Sequence, residues 1–244
     1  MSKVALVTGG NRGLGFEVAR QLASAGTTVV IGARDAESGA EAADLLRAAG
    51  LAADTVTIDV DDCSSIERAA RELHDRYGVL DILVNNAGIL PEATADSDEV
   101  ISTSMFRRTF DTNLFGAVKT TESLLPLLRE SEAGRIVNVS TTMGSLGDQS
   151  DPGSPYYSVI VPAYQASKAA LNSVTIALSK LLADTPVKVN AVCPGFVQTD
   201  LTPINRAEAP LTTTEAARVV VRYALVDAAG PSGGFFDHEA SVAW

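Results

Sequence analysis

Cysteine and histidine are scarce in this chain, which has two of each. Cys63 and Cys193 lie far apart and neither sits among ligands at metal spacing, which argues against a disulfide framework and against a structural zinc site. His74 and His238 have no partner pattern and read as surface or tail residues. Positive charge is also short: 19 Lys and Arg stand against 30 Asp and Glu, a formal net charge of −11. Long-range repulsion then argues against nucleic acid or an anionic membrane surface as partner. No apolar run approaches the roughly 20 residues that span a bilayer. The chain opens Met-Ser-Lys and enters an apolar strand at once, without the regions of a signal peptide, so the expectation is a reduced, cytoplasmic protein.

What is present is alternation. Short β-branched runs alternate with longer segments of helical period, the pattern of a parallel sheet covered on both faces. Lys3 to Thr8, Thr28 to Ala33, Thr55 to Asp59, Asp81 to Val84, Arg135 to Ser140 and Val187 to Val192 read as strands, and Gly234 to Phe236 adds a short last one. With 244 residues and 46% hydrophobic content, the expectation is one α/β domain over 1–244, a Rossmann-type doubly wound parallel sheet of about seven strands. The helical signal is clear where Ala42, Leu45, Leu46 and Ala49 recur and Gly50 stands at the position of a C-terminal cap. A helix is also expected from about Met105 to Leu128. Gly144 to Pro162 reads as an extended loop and Thr199 to Pro210 as a second irregular stretch.

Thr8-Gly9-Gly10-Asn11-Arg12-Gly13-Leu14-Gly15 falls directly after the first strand and before a helix. Glycines there permit a tight turn and let backbone amides approach a pyrophosphate, whose charge the helix N-terminus favours. The spacing Thr-Gly-x-x-x-Gly-x-Gly differs from the commoner Gly-x-Gly-x-x-Gly fingerprint and resembles the short-chain dehydrogenase/reductase family. At the end of the second strand, where an NAD enzyme carries a carboxylate for the ribose hydroxyls, stands Ala33. Arg34 follows it, and with Arg12 offers two guanidinium groups to fork onto a 2′-phosphate, which selects NADP(H). Asp35 sits one position late for a ribose contact and reads as the start of the next helix.

Further matches to the family follow in order along nearly the whole chain. Asp59, followed by Val60, occupies the position that in the family meets the adenine ring; the other reading is a helix cap shared with Asp61 and Asp62. Asn85-Asn86-Ala87-Gly88 resembles the family's Asn-Asn-Ala-Gly turn lining the cofactor cleft, and is also good turn chemistry in its own right. Asn190 to Thr199 resembles the Pro-Gly turn of the family, in which Pro194, Gly195, backbone near Val197 and the Thr199 hydroxyl would hold the nicotinamide carboxamide. A cap for the next helix is the alternative role of Thr199. Cys193 reads as a small core residue and Trp244 as packing on a neighbouring surface.

The chemistry centres on Tyr164-Gln165-Ala166-Ser167-Lys168. Residues four apart share a helix face, so the Lys168 ammonium can lie beside the Tyr164 phenol and stabilise its anion. A free phenol has a pKa of about 10 and must fall to exchange a proton readily near neutral pH. The resemblance also assigns Lys168 to the nicotinamide ribose, so Tyr164 and Lys168 count as cofactor contacts too. Tyr156 and Tyr157 are competing phenols without a Lys four residues on. The family places a Ser at the end of the fifth strand to bond the substrate carbonyl. Aligning Asn138-Val139-Ser140-Thr141-Thr142-Met143-Gly144 with its usual Asn-Val-Ser-Ser-x-x-Gly puts that hydroxyl on Thr141, a departure whose extra methyl crowds the pocket. Ser140 is the alternative, since strand alternation lets only one of the two point at the carbonyl. Asn113 matches the Asn that in the family interrupts a long helix and anchors a water next to Lys; alternatively it is an ordinary mid-helix polar residue.

The expected activity is NADPH-dependent reduction of a small apolar ketone, aldehyde or quinone-like carbonyl, with Tyr164 as proton donor. The loop before Tyr164 is about ten residues longer than in plain members of the family, and the ending Gly230 to Phe236 resembles carbonyl reductase-like members. Leu146, Tyr156, Tyr157, Ile160, Leu201 and Ile204 would give an apolar pocket. An NAD-linked alcohol dehydrogenase is the first alternative and a non-catalytic dinucleotide-binding regulator the second; retention of both Tyr164 and Lys168 disfavours the latter. The expected partner is a small-molecule carbonyl substrate, with neither nucleic acid nor membrane and no metal. The extra loop could cover the face that many family members use to form tetramers, so a homo-oligomer is left open.

Overall fold

Seven strands form one all-parallel sheet in the order β3-β2-β1-β4-β5-β6-β7. The structure is a computed structural model that describes residues 2–96 and 100–244. The strands are β1 (Val4–Thr8), β2 (Thr28–Ala33), β3 (Ala53–Thr57), β4 (Ile82–Asn85), β5 (Arg135–Val139), β6 (Lys188–Val192) and β7 (Phe235–Phe236). The chain first winds outward from β1 to β3, then returns to lay β4 on the other side of β1. Connections therefore leave in opposite directions at the carboxyl ends of β1 and β4, and the crevice that opens there is where such sheets take ligands.

Side-chain alternation along each strand divides the core in two. Ala5, Val7, Val29, Ile31, Ile82 and Val84 face a layer of α1 (Gly13–Ser24), α2 (Ala36–Ala48) and α9 (Thr213–Ala224). Val4, Leu6, Val30, Leu83 and Ile136 face α3 (Cys63–Tyr77), α5 (Ala117–Arg129) and the C-terminal end of α7 (Pro162–Leu181). Leu6, Ile31, Ile82 and Leu83 are fully buried, and each contributes about 1.5–3 kcal/mol through area removed from water.

Several expected boundaries move. The third strand begins two residues earlier than predicted and ends at Thr57, because Ala53 pairs with Val29 and Thr57 with the last residue of β2, Ala33. Ala53 and Asp54 are poor β-formers, which hid the true start. In α2 the buried face is Gly39, Ala42, Ala43 and Leu46; Leu45 is 64% exposed and Ala49 is exposed as well. Gly39 shifts the face toward the N-terminus, since a Cβ there would lie 2.7 Å from Thr55 Oγ1. Gly50, at φ +77°, ends α2 with its N–H on Arg47 O at 2.8 Å.

The helix expected from Met105 to Leu128 is not continuous. It consists of α4 (Thr103–Phe110), a π turn over Asp111–Gly116, and α5, which carries Pro126 inside it. The two stretches read as irregular each hold a short helix, α6 (Leu146–Ser150) capped by Ser145 and α8 (Pro203–Glu208) capped by Thr202. Helices of five or six residues are too short to show a period, so only their caps mark them.

Candidate active site

Backbone freedom shapes the turn after β1. Gly9 and Gly13 have φ of +63° and +55°, and a Cβ on Gly15 would lie 2.3 Å from Gly9 O and 2.5 Å from Asn86 Nδ2. The turn is tied to the end of β4: Thr8 Oγ1 accepts from Asn86 N at 3.0 Å and Ala87 N at 3.1 Å, and Asn86 Nδ2 donates to Thr8 O at 2.9 Å. Helix α1 then begins with Arg12 at its N-cap position, with no side chain capping it and no acidic residue in its first turn. First-turn N–H groups left in that state form an anion site, so the residues present fit a dinucleotide pyrophosphate. Leu14 packs against the core, which leaves its backbone N–H as the group it can offer. Asn11 Nδ2 donates to Ser38 Oγ at 3.1 Å, joining the turn to α2.

Arg12 and Arg34 are exposed. Asp35 is the N-cap of α2, accepting from Ser38 N at 2.8 Å, and its bonds to Ser38 hold the carboxyl below the usual carboxylate range. The carboxylate nearest the end of β2 is therefore occupied as a cap. At the next crossover the cap of α3 is Asp62, accepting from Ser64 N at 2.8 Å. Asp59 does not cap that helix; its Oδ1 accepts from Asp61 N at 3.1 Å and shapes the turn after β3. Val60 lies against the π turn, since a Cβ on Gly116 would be 2.8 Å from Val60 O.

Helix α7 carries Tyr164 and Lys168 one turn apart, 7% and 5% exposed. The ammonium lies 5.8 Å from the Tyr164 ring centroid and donates to Val139 O, at the end of β5, at 2.8 Å. Burial lowers the Lys168 pKa to about 8. Burial also raises the Tyr164 phenol, and negative charge on Cys193 and Glu92 would raise it further. The expected lowering of the phenol by Lys168 is thus not the state of the free protein: the ammonium is turned to Val139, and desolvation governs the phenol.

Beyond β5 the two candidate hydroxyls separate cleanly. Ser140 Oγ donates to Asn172 Oδ1 on α7 at 2.6 Å and is committed there. Among the described residues Thr141 Oγ1 only accepts, from Met143 N at 3.2 Å, which leaves its proton available to a further acceptor. The following turn, Thr142–Gly144, packs on α7 so closely that a Cβ on Gly144 would lie 2.9 Å from Lys168 Cβ. Asn113 sits within the π turn; its Oδ1 accepts from Ile89 N at 2.8 Å, and its Nδ2 donates to Ile89 O at 2.9 Å and Ser167 Oγ at 3.1 Å. A Cβ on Gly88 would lie 3.3 Å from Asn113 Oδ1 and 3.6 Å from Lys168 Nζ, so these three groups converge.

After β6 the chain turns at Pro194 and Gly195, the latter at φ +82°. Cys193 is buried and accepts at Sγ from Thr142 N at 3.4 Å. Val197 O accepts from Asn205 Nδ2 at 2.9 Å, and Thr199 reaches the glycine turn, where a Cβ on Gly13 would lie 3.6 Å from Thr199 Cγ2. The helix cap considered for Thr199 belongs to Thr202. Two residues that the sequence pattern does not mark hold the site in place. His238 Nε2 donates to Pro194 O at 2.9 Å, and buried Glu92, on the turn Pro91–Thr94, accepts from Ala163 N at 2.7 Å. Neither belongs to a motif, and both act across more than forty residues, so no local signal reveals them. Trp244 stacks on Phe235 with ring centroids 5.6 Å apart.

The apolar residues expected around the substrate are mostly on the surface, among them Leu146, Tyr157, Leu201 and Ile204, with Ile160 76% exposed. They lie on α6, on α8 and on the irregular segments beside them, open to solvent. A groove of about 660 Å³ lined by Val60, Asp61, Cys63, Arg108, Phe115 and Lys119, among others, includes neither Tyr164 nor Lys168. Among the described residues no group of His, Cys, Asp or Glu is arranged to hold a metal ion, and no helix is long and apolar enough to cross a membrane.

A doubly wound parallel sheet with a glycine turn after β1 and a buried Tyr and Lys one helical turn apart defines a dinucleotide-dependent oxidoreductase architecture. The sequence pattern of the family described as short chain dehydrogenase matches residues 3–209, and the chain belongs to that family. Salutaridine reductase of Papaver bracteatum is 33% identical, covering 96% of this chain and 94% of that protein. The (+)-neomenthol dehydrogenase of Arabidopsis thaliana is 34% identical, covering 97% and 96%. Among solved structures, the NADPH-bound carbonyl reductase from chicken fatty liver superposes with a TM-score of 0.85 at 25% identity, covering 100% of this chain and 99% of that one.

Proposed function

We propose that the chain is an NADPH-dependent carbonyl reductase acting on small apolar ketones, aldehydes or quinone-like carbonyls, with Tyr164 as proton donor. The observation that carries this reading is the division of labour after β5: Ser140 is bonded to Asn172, while Thr141 keeps a free donor beside the helix that bears Tyr164 and Lys168.

The first-turn amides of Gly13, Leu14 and Gly15 would hold the pyrophosphate, with Gly9 and Asn11 shaping the turn, and the exposed Arg12 and Arg34 would fork onto the 2′-phosphate. Asp59 and Val60 would border the adenine, Asn86, Ala87 and Gly88 the floor of the cleft, and Pro194, Gly195, Val197 and Thr199 the carboxamide edge of the nicotinamide. NADPH, when bound, supplies a hydride to the carbonyl carbon. Thr141 donates its O–H to the carbonyl oxygen, where negative charge grows as the bond is reduced. Tyr164 then releases its proton to that oxygen. Burial favours the neutral phenol, which is the form that reduction requires at the outset. Lys168, buried at the same level, positions the ribose and refills the phenol with Asn113 at its back.

The rival reading, alcohol oxidation with NAD, uses the same side chains in reverse; engagement of Asp35 as a helix cap supports NADP(H) over NAD. The test is loss of cofactor absorbance across a carbonyl panel, with NADPH and NADH titrated separately. Tyr164→Phe is expected to bind NADPH within about twofold of the wild type while turnover falls about 10²- to 10⁴-fold. Turnover that survives this change, or tighter binding of NADH, overturns the reading.

A further inference from the structure

Helix α7 satisfies its N-terminal donors in an unusual way. Val161 at the N-cap position offers no side-chain cap; its own N–H donates to Gln165 Oε1 at 3.3 Å, and Pro162 has no N–H to satisfy. The remaining first-turn donors, Ala163 and Tyr164, both turn to Glu92, with Ala163 N at 2.7 Å from Oε1 and Tyr164 N at 3.1 Å from Oε2 and 3.3 Å from Oε1. Glu92 is 5% exposed, and among the described residues no Lys, Arg or His forms an ion pair with it. A buried carboxylate without a cation is costly, and here two helix amides and the helix dipole offset that cost.

An ordinary cap comes from the residue next to the helix. This one comes from the loop after β4, the same loop whose Gly88 lies against the Lys168 ammonium and whose Ile89 is bonded on both backbone groups by Asn113. Asn113 also reaches Ser167, so residues 88–92 are fastened to α7 at its first turn through Glu92 and at its second through Asn113. We propose that Glu92 is a positioning residue for Tyr164: it fixes the height and rotation of the first turn of α7 against the floor of the cleft, and so sets where the phenol meets the substrate oxygen. The inference rests on the reductase reading. The charged or titratable groups facing the phenol are Lys168 from α7 itself, Cys193 from the end of β6 and Glu92 from the turn after β4.

The test compares wild type, Glu92→Ala and Glu92→Gln for kcat, KM, NADPH affinity by fluorescence, thermal midpoint and pH profile. Glu92→Ala is expected to lower kcat about 10- to 100-fold, with KM and NADPH affinity within about threefold, because misplacement of a reacting group is felt in turnover first. Glu92→Gln retains an acceptor and is expected to recover part of that loss. It also removes a negative charge near the phenol, so its high-pH limb of reduction should move to lower pH. Unchanged kcat in Glu92→Ala overturns the proposal, as does a loss in which kcat, NADPH affinity and thermal midpoint fall together in both variants. Should Glu92→Ala fail to fold, Glu92→Gln decides alone: wild-type turnover with an unmoved pH limb overturns it. A wild type that reduces nothing in the panel removes the reductase reading and this inference together, whereas an active wild type matched by both variants removes only the role of Glu92.

Discussion

The two flanks of the cleft are built on different terms. On the side of β1 and β4, position is set mainly by backbone: glycines at positive φ and a carbonyl so near Gly15 that no side chain fits, with the side-chain amide of Asn86 tying two strand ends together. On the side of α6 and α8, the rim is a set of exposed apolar side chains, some on those helices of five and six residues and others, such as Tyr157 and Ile160, on the irregular segment before α7. Backbone contacts of the first kind tolerate almost no substitution, because nothing around them can give. Exposed rim side chains have little around them to displace, so they can vary without disturbing what lies beneath.

Breaking the comparison starts with the largest effect. Gly15→Ala forces a Cβ into space held by Gly9 O, and overpacking of about 1–3 kcal/mol should weaken NADPH binding about 10- to 100-fold by fluorescence titration. Binding unchanged by that methyl would show that the turn yields. Next comes Lys168→Met, which tests how much tension the centre itself carries in the absence of cofactor. A folded-state pKa of about 8 lies below the unfolded value, so below that pH the wild type holds a buried ammonium at a cost, and it gains stability as pH rises through about 8 toward 10.5. With the lost bond to Val139 set against the relief, Lys168→Met should stabilise the free protein by about 1–2 kcal/mol at pH 7 in urea unfolding, and the gain should shrink above pH 8. A gain independent of pH would refute the assignment of that cost to the ammonium. The smallest effect is expected at the rim: Ile160→Asp should raise KM for an apolar ketone less than about tenfold and leave NADPH affinity and thermal midpoint alone. A large loss of stability there would erase the distinction between the flanks.

What could be read from the residues follows the same division. Apolar runs such as Val4 to Val7 and Thr28 to Ile31 declare buried parallel strands, and the glycine spacing after Thr8 declares the turn, because each is encoded within a few neighbouring positions. The start of β3 at Ala53 is hidden, since pairing with Val29 overrides the weak propensity of Ala53 and Asp54. The exposed Leu45 shows the limit of periodicity: it fits the apolar pattern, yet Gly39 decides which face of α2 approaches β3. The choice between Ser140 and Thr141 cannot be made from alternation alone, because it depends on Asn172, thirty-two positions away on another element. Glu92 and His238 escape for the same reason, as their partners are fixed only once distant segments meet.

The π turn at Asp111–Gly116 carries one residue more than ordinary winding would need. Removing one residue there would restore the regular spiral and leave α5 nearly in phase, because the wide turn takes up its extra residue locally. What would be lost is the bulge itself, and with it the placement from which Asn113 bonds both backbone groups of Ile89. The surplus residue thus lets one side chain step out of line while the two stretches of the rod keep their own faces, and the length of this segment is as fixed as the identity of the amide it presents.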